Sequence, residues 1–180
     1  MATESGYSGP QRSFLDRVKA AAKLDVSLYE EVEADKTATR QAALVVAASA
    51  VAHAIGSSDE GAAGVFVVLG LSLAGWAAWA AITYFVGAKV FHGTANWGEL
   101  ARTLGFAQAP GLLYLLVLIP ILGGLIEFIV GIWILIAGFI AIRQALDITT
   151  GQAVVVAFMG LLVLVIPPIV LGAAAWLTFR

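Results

Sequence analysis

The chain has 180 residues, of which 61% are hydrophobic and 12% charged, with a mean hydropathy of +0.94. A soluble domain carries about 25% charged and about 45–50% apolar residues, so these residues cannot build a water-solvated surface and the bilayer is the indicated solvent. A net charge of −2 without a basic cluster beyond the N-terminal tail excludes a nucleic-acid surface, and the lack of cysteine excludes disulfides, thiolate metal sites and cysteine-borne lipid anchors.

Of the 22 charged residues, 13 fall within the first 40. Residues 1–10 read as a polar, disordered tail, and a cleaved signal peptide does not fit such a start. Residues 11–36 form an amphipathic segment. At 100° per residue Arg12, Asp16, Lys19 and Lys23 share one helical face, and Phe14, Leu15, Val18, Ala21 and Ala22 share another. Such a helix can lie on the inner leaflet or pack against the domain's own loops. Ser27 and Glu30 have capping-box spacing for a second helix, whose Leu28, Tyr29 and Val32 face the bilayer or the bundle. Thr37 or Asp35 then caps the first crossing.

Residues 37–180 make the membrane domain. A crossing needs about 20 mostly apolar residues for about 30 Å of hydrocarbon. The charge-poor intervals place spans at about 41–56, 61–88, 104–122, 125–143 and 152–179. The stretch between Arg102 and Arg143 is about 60 Å long as a helix, so it must fold back, with Pro120 and Gly123-Gly124 as the natural turn. Between spans two and three, Asn96 and Glu99 repeat the capping box, and Trp97, Leu100 and Leu104 form the stripe of another interfacial helix. Pro167-Pro168 should kink span five, and Trp176 is a candidate interfacial anchor.

The charge bias agrees with five crossings. With the N-terminus inside, Arg12, Arg17, Lys19, Lys23, Lys36, Arg40, Lys89, Arg102 and Arg143 are all cytoplasmic, and only Arg180 is outside. The expectation is therefore a multi-pass protein of the cell (inner) membrane, with a cytoplasmic N-terminus and its C-terminus on the opposite side.

Two ionisable residues fall within the spans. Glu127 either starts span four near water, where the helix dipole favours an anion, or is a buried carboxylate that relays protons or binds a cation with Tyr84, Tyr114 or Gln108. His53 follows Ser49 by one turn. It is either an interfacial, hydrogen-bonded histidine or, at this small-xxx-His spacing, a tetrapyrrole ligand. Small residues recur every fourth position at Ala48, Ala52 and Gly56, at Gly70, Ala74 and Ala78, and at Ala137, Ala141 and Ala145, which suits close helix packing inside the bundle or between copies. No G-x-S-x-G, H-E-x-x-H, Walker A or dinucleotide fingerprint occurs, so the sequence presents no catalytic residue, metal site or cofactor.

Leu28-Tyr29-Glu30-Glu31-Val32, the span after Thr39-Arg40, the approach from Trp97 to Gln108-Ala109-Pro110, the turn Ile119-Pro120-Ile121-Leu122-Gly123-Gly124, Ile132-Trp133, and Ala145-Leu146 through Thr150-Gly151-Gln152-Ala153 follow one another in an order that is distinctive as a set. Through them residues 14–178 resemble the Yip-one domain family in its bacterial-type form. The resemblance implies five helices and a cytosolic N-terminus. Eukaryotic relatives bind small Rab-type GTPases, but their Asp-Leu-Tyr-Gly-Pro motif is missing here, since Ser27 precedes Leu28-Tyr29 and Glu30-Glu31 follows. The expectation is thus an all-α integral membrane bundle of five helices with N-terminal amphipathic helices. It would act without enzymatic chemistry as a scaffold, adaptor or accessory subunit. Its partners would be the lipid bilayer and a membrane or cytoplasmic protein, in an oligomer or larger membrane complex. The alternative is a transporter or channel subunit using an intramembrane carboxylate.

Overall fold

A computed structural model describes residues 12–56, 62–119 and 121–162. All regular structure among the described residues is helical, in the order α1 (Phe14–Ala22), α2 (Val26–Ala34), α3 (Ala38–Gly56), α4 (Ala62–Tyr84), a π-helical segment (Phe85–Val90), α5 (Trp97–Phe106), a 3₁₀ helix (Ala109–Leu118), α6 (Gly123–Leu146) and α7 (Thr150–Leu162). Four segments among them are long and apolar enough to cross a membrane: Ala38–Gly56, Gly64–Val90, Trp97–Leu118 and Gly123–Leu146. The fifth expected span begins as α7; its remainder, with Pro167-Pro168 and Trp176, lies outside the described residues, as do the tail 1–10 and the turn at 57–61.

The third candidate span, by length and composition, is Trp97–Leu118, in which the helix opened by Asn96 leads through a short turn into the 3₁₀ helix. Its capping box forms as read: Asn96 accepts from the Glu99 backbone N–H, and Glu99 Oε2 accepts from the Asn96 backbone N–H. Leu100 and Leu104 are fully buried and Trp97 is exposed, its Nε1 donating to the Ala77 carbonyl. Pro110 supplies no N–H and its ring crowds the carbonyl four residues back, so the α-helical ladder ends at Phe106. The chain continues with i→i−3 bonds such as Gly111 N–H to the Gln108 carbonyl (2.8 Å). At ~1.5 Å per α residue and ~2.0 Å per 3₁₀ residue the segment still reaches across the hydrocarbon.

This interrupted span lies at the centre, packed against α3 and α6. At Gly105 a Cβ would lie 2.6 Å from the Ala42 Cβ, a separation that only glycine permits. The turn into α6 departs from expectation. Gly123 and Gly124 begin the helix, and the left-handed residue is Ile121 (φ 74°). Gly123 is needed for proximity instead, since a Cβ there would sit 2.8 Å from the Val117 carbonyl oxygen. Of the small-residue stripes, Ala137, Ala141 and Ala145 are fully buried inside the bundle, whereas Ala74 and Ala78 face outward.

α1 and α2 pack on the end of the bundle where α3 starts and α6 finishes, here called the proximal end. The cap of α2 is Asp25, whose side chain accepts from the Ser27 N–H, and not Ser27 itself. Leu28, Tyr29 and Val32 are wholly buried against the bundle, which decides between the two faces left open by the sequence. Burial of Leu28 and Val32 contributes about 1.5–3 kcal/mol each. Arg102 of α5 donates from Nε to the Val32 carbonyl (2.8 Å) and from Nη2 to the Glu33 carbonyl, so a cation closes the C-terminal end of α2. Gln144 of α6 donates to Glu30 Oε1 (2.9 Å). α1 is held by Arg17, 2% exposed: Nε donates to Glu31 Oε1 (2.9 Å), Nη1 to Gln41 Oε1 (2.9 Å), and Nη2 pairs with Asp35 Oδ2 (2.8 Å). Arg12 adds its backbone N–H (3.1 Å) and Nη1 (3.3 Å) to the two oxygens of Glu31, itself 1% exposed.

A buried charge left without its partner costs about 3–5 kcal/mol. Arg17→Met is expected to destabilise the protein by about that amount. Arg17→Met combined with Glu31→Met should recover most of the loss, as read by thermal unfolding in detergent.

Candidate functional site

A cavity of about 470 Å³ lies inside the membrane domain, within the range of ordinary ligand pockets. Its walls follow from helical periodicity. α3 contributes Val46, Ser49, Ala50 and His53, and α4 contributes Ser72, Gly75, Trp76 and Trp79, each set at i, i+3, i+4, i+7. α6 adds Gly131, Ile134 and Leu135; Gln108 and Tyr114 come from the interrupted span, and Leu161 from α7. Trp76 is fixed by its Nε1 donating to the Ala101 carbonyl (2.8 Å). Trp79 wedges between Gly138 and Gly160, where a Cβ would come within 2.5 and 2.7 Å of its ring atoms.

The two residues singled out from sequence meet at the distal end of this cavity. His53 Nε2 lies 3.6 Å from Glu127 Oε1, and the His53 ring packs edge-on against Tyr114 with centroids 4.7 Å apart. Glu127 is in the second turn of α6, one turn before Gly131 on the same helical stripe, and its side chain is 58% exposed. Of the two readings of Glu127, the structure therefore favours a carboxylate near the start of span four over a buried one. Tyr114 and Gln108 do border the same space, whereas Tyr84 is at the opposite end, with Lys89 Nζ 5.5 Å above its ring. Among the described residues no group of three or more His, Asp or Glu is placed to hold a metal ion.

A family model described as the Yip1 domain matches residues 29–172. The chain belongs to the Yip1 family. The matched region runs from Tyr29 in α2 through the whole described bundle and includes every cavity residue, so the protein is a multi-pass membrane protein built on a Yip1 domain. No curated protein and no solved structure matches it.

α1 precedes the matched region, so the clamp that Arg12 and Arg17 place on Glu31 reaches the Yip1 domain from outside. Sequence reasoning missed this clamp because it counted Arg17 only as one more inner charge. The available signal was its position one turn before Ala21, off the face shared by Arg12, Asp16, Lys19 and Lys23. Asp35 holds the turn into α3: its Oδ1 accepts from the Thr37 N–H (2.9 Å) and hydroxyl (2.6 Å). Burial works against its charge, but the hydrogen bonds from Thr37 and Arg17 prevail and hold its carboxyl below the usual range.

Glu33, beside this clamp, behaves oppositely. Burial first, then the neighbouring carboxylates of Glu99, Asp147 and Glu30, outweigh Arg102 and push its carboxyl up to about 7. Between the ordinary carboxylate range and that value the folded chain holds the Glu33 proton more tightly than the unfolded chain. Stability from this group is therefore present in full at the lower end of that window and is lost as pH rises to about 7. The expected observation is a thermal midpoint that declines between about pH 5 and 7, with Glu33→Gln flattening the decline.

Proposed function

We propose that this Yip1-family protein is a non-enzymatic scaffold or adaptor of the cell (inner) membrane. Its proximal end faces the cytoplasm, and α1 and α2 form a rigid platform there for a protein partner, with the protein acting alone or as an accessory subunit of a larger complex. The observation that carries the reading is the Arg12–Glu31–Arg17 clamp. A segment meant only to float on lipid needs no buried ion pairs, whereas one that presents a surface in fixed register gains from them. The inward orientation is supported by the distribution of Lys and Arg. The non-enzymatic part is supported by the absence of any nucleophile or metal-protease motif in the sequence. The GTPase binding of eukaryotic relatives is not part of the proposal, because Ser27-Leu28-Tyr29-Glu30-Glu31 stands where their motif would be.

The outward face of α1 offers Leu15, Lys19 and Lys23, all exposed, while Arg17 and Ala21 face the bundle. A photo-cross-linking residue placed at 15, 19 or 23 is expected to yield a discrete protein adduct in intact membranes, accessible to label from the cytoplasmic side. Adducts with lipid alone, or labelling only from the opposite side, would overturn the reading.

A second reading, solute transport through Glu127, is favoured by one observation: Glu127 and His53 meet at the end of the cavity. It requires that Glu127→Gln abolish a pH-dependent or cation-dependent flux in reconstituted vesicles. Unchanged flux removes it.

A further inference from the structure

The cavity carries an inference independent of the platform. Its lining is amphipathic in a specific way. Val46, Ala50, Trp76, Trp79, Ile134 and Leu135 make the walls mostly apolar, yet Ser49, Ser72 and Gln108 open onto the same space, and among the described residues none of their side chains has a hydrogen-bond partner in the protein. Ser49 is 6% exposed, so it is nine-tenths buried at this wall. Polar groups at membrane depth cannot borrow hydrogen bonds from hydrocarbon, and leaving them unsatisfied is costly. Their three positions, on α3, α4 and the bend between α5 and the 3₁₀ helix, converge from separate elements.

The chemistry of the lining selects the guest. No Lys, Arg, Asp or Glu is among the described lining residues, so no fixed charge faces the cavity, and the lining His53 is at its distal end, with Nε2 3.6 Å from Glu127 Oε1. The Gln108 amide and the serine hydroxyls together donate and accept, as a hydroxyl or ester group requires. The bilayer is the source this placement suits: Leu135 lines the cavity and is also 44% exposed, on a helix long and apolar enough to cross a membrane. We propose that this cavity is a binding site for one neutral, hydroxyl- or ester-headed lipid taken from the bilayer, with its head hydrogen-bonded by Ser49, Ser72 and Gln108 and its chain against Trp76 and Trp79.

The test uses the two cavity tryptophans as reporters. The full-length chain carrying Trp97→Phe, Trp133→Phe and Trp176→Phe is reconstituted into phosphatidylcholine vesicles, and a diacylglycerol with dibrominated acyl chains is titrated in at low mole fraction. Fluorescence should be quenched saturably. Gln108→Leu and Ser72→Leu, on different elements and with thermal midpoints checked against the parent, should each weaken the apparent affinity about tenfold, the loss expected when a buried hydrogen-bonding group goes unpaired. Equal quenching by dibrominated phosphatidylcholine at the same mole fraction would mean only peripheral lipid contact. That result, quenching that never saturates, or affinity unchanged in both variants overturns the proposal.

Discussion

Hydrocarbon offers no hydrogen bonds, so a backbone that leaves the α-helix within a membrane must be enclosed by protein. The bend within Trp97–Leu118 obeys this constraint, and the more exposed 3₁₀ turns beyond it keep their own i→i−3 bonds. Pro110 breaks the ladder of this segment at about the middle, and the break is surrounded by α3 and α6 rather than by lipid, with Phe106, Ala107, Ala109, Pro110 and Gly111 all buried. Placing the interrupted span at the centre sends α4 and α6 to the periphery. There their outer residues, such as Phe66, Leu71 and Phe128, are exposed to the bilayer. The same bend leaves Gln108 and Tyr114 beside the stripes of α3, α4 and α6, so the cavity is a consequence of where the proline falls.

The proximal end is governed by a different solvent. α2 has an apolar face that fits the bundle; α1 packs Val18, Ala21 and Ala22 there but leaves Phe14 and Leu15 exposed, and buried charge adds to its hold. Arg17 and Glu31 are both almost fully buried and each has more than one partner, an arrangement that compensates the desolvation of the two ions. Removing one member leaves the other uncompensated, which is why this contact, and not the exposed lysines, holds α1 against α2 and the start of α3. Arg102 extends the coupling into span three.

Several features were legible from local sequence because local physics decides them. The Asn96–Glu99 box involves residues three apart and formed as read. The fold class followed from composition, and the candidate residues His53 and Glu127 were recognisable as ionisable groups in apolar runs. Their meeting was not legible, because it depends on α3 and α6 both packing against the 3₁₀ helix between them. The role of Arg102 was not legible for a related reason: it was taken as a boundary charge, whereas it is directed at backbone carbonyls of α2, a partner about 70 positions away in sequence. The glycine pair after Pro120 was read as turn chemistry, whereas Gly123 serves close approach to Val117, and close approach is a property of two segments.

The sequence by itself determined the solvent, the helical class and the family. These follow from summed hydropathy, charge spacing and short motifs, which are additive along the chain and need no partner. Only the tertiary structure decided which apolar faces meet protein and which meet lipid, that Arg17 is a buried clamp rather than a surface charge, and that polar groups from three elements border one cavity. Each of these is a relation between distant segments, and in a chain whose spans are apolar all round, the pattern of one segment does not record its neighbour.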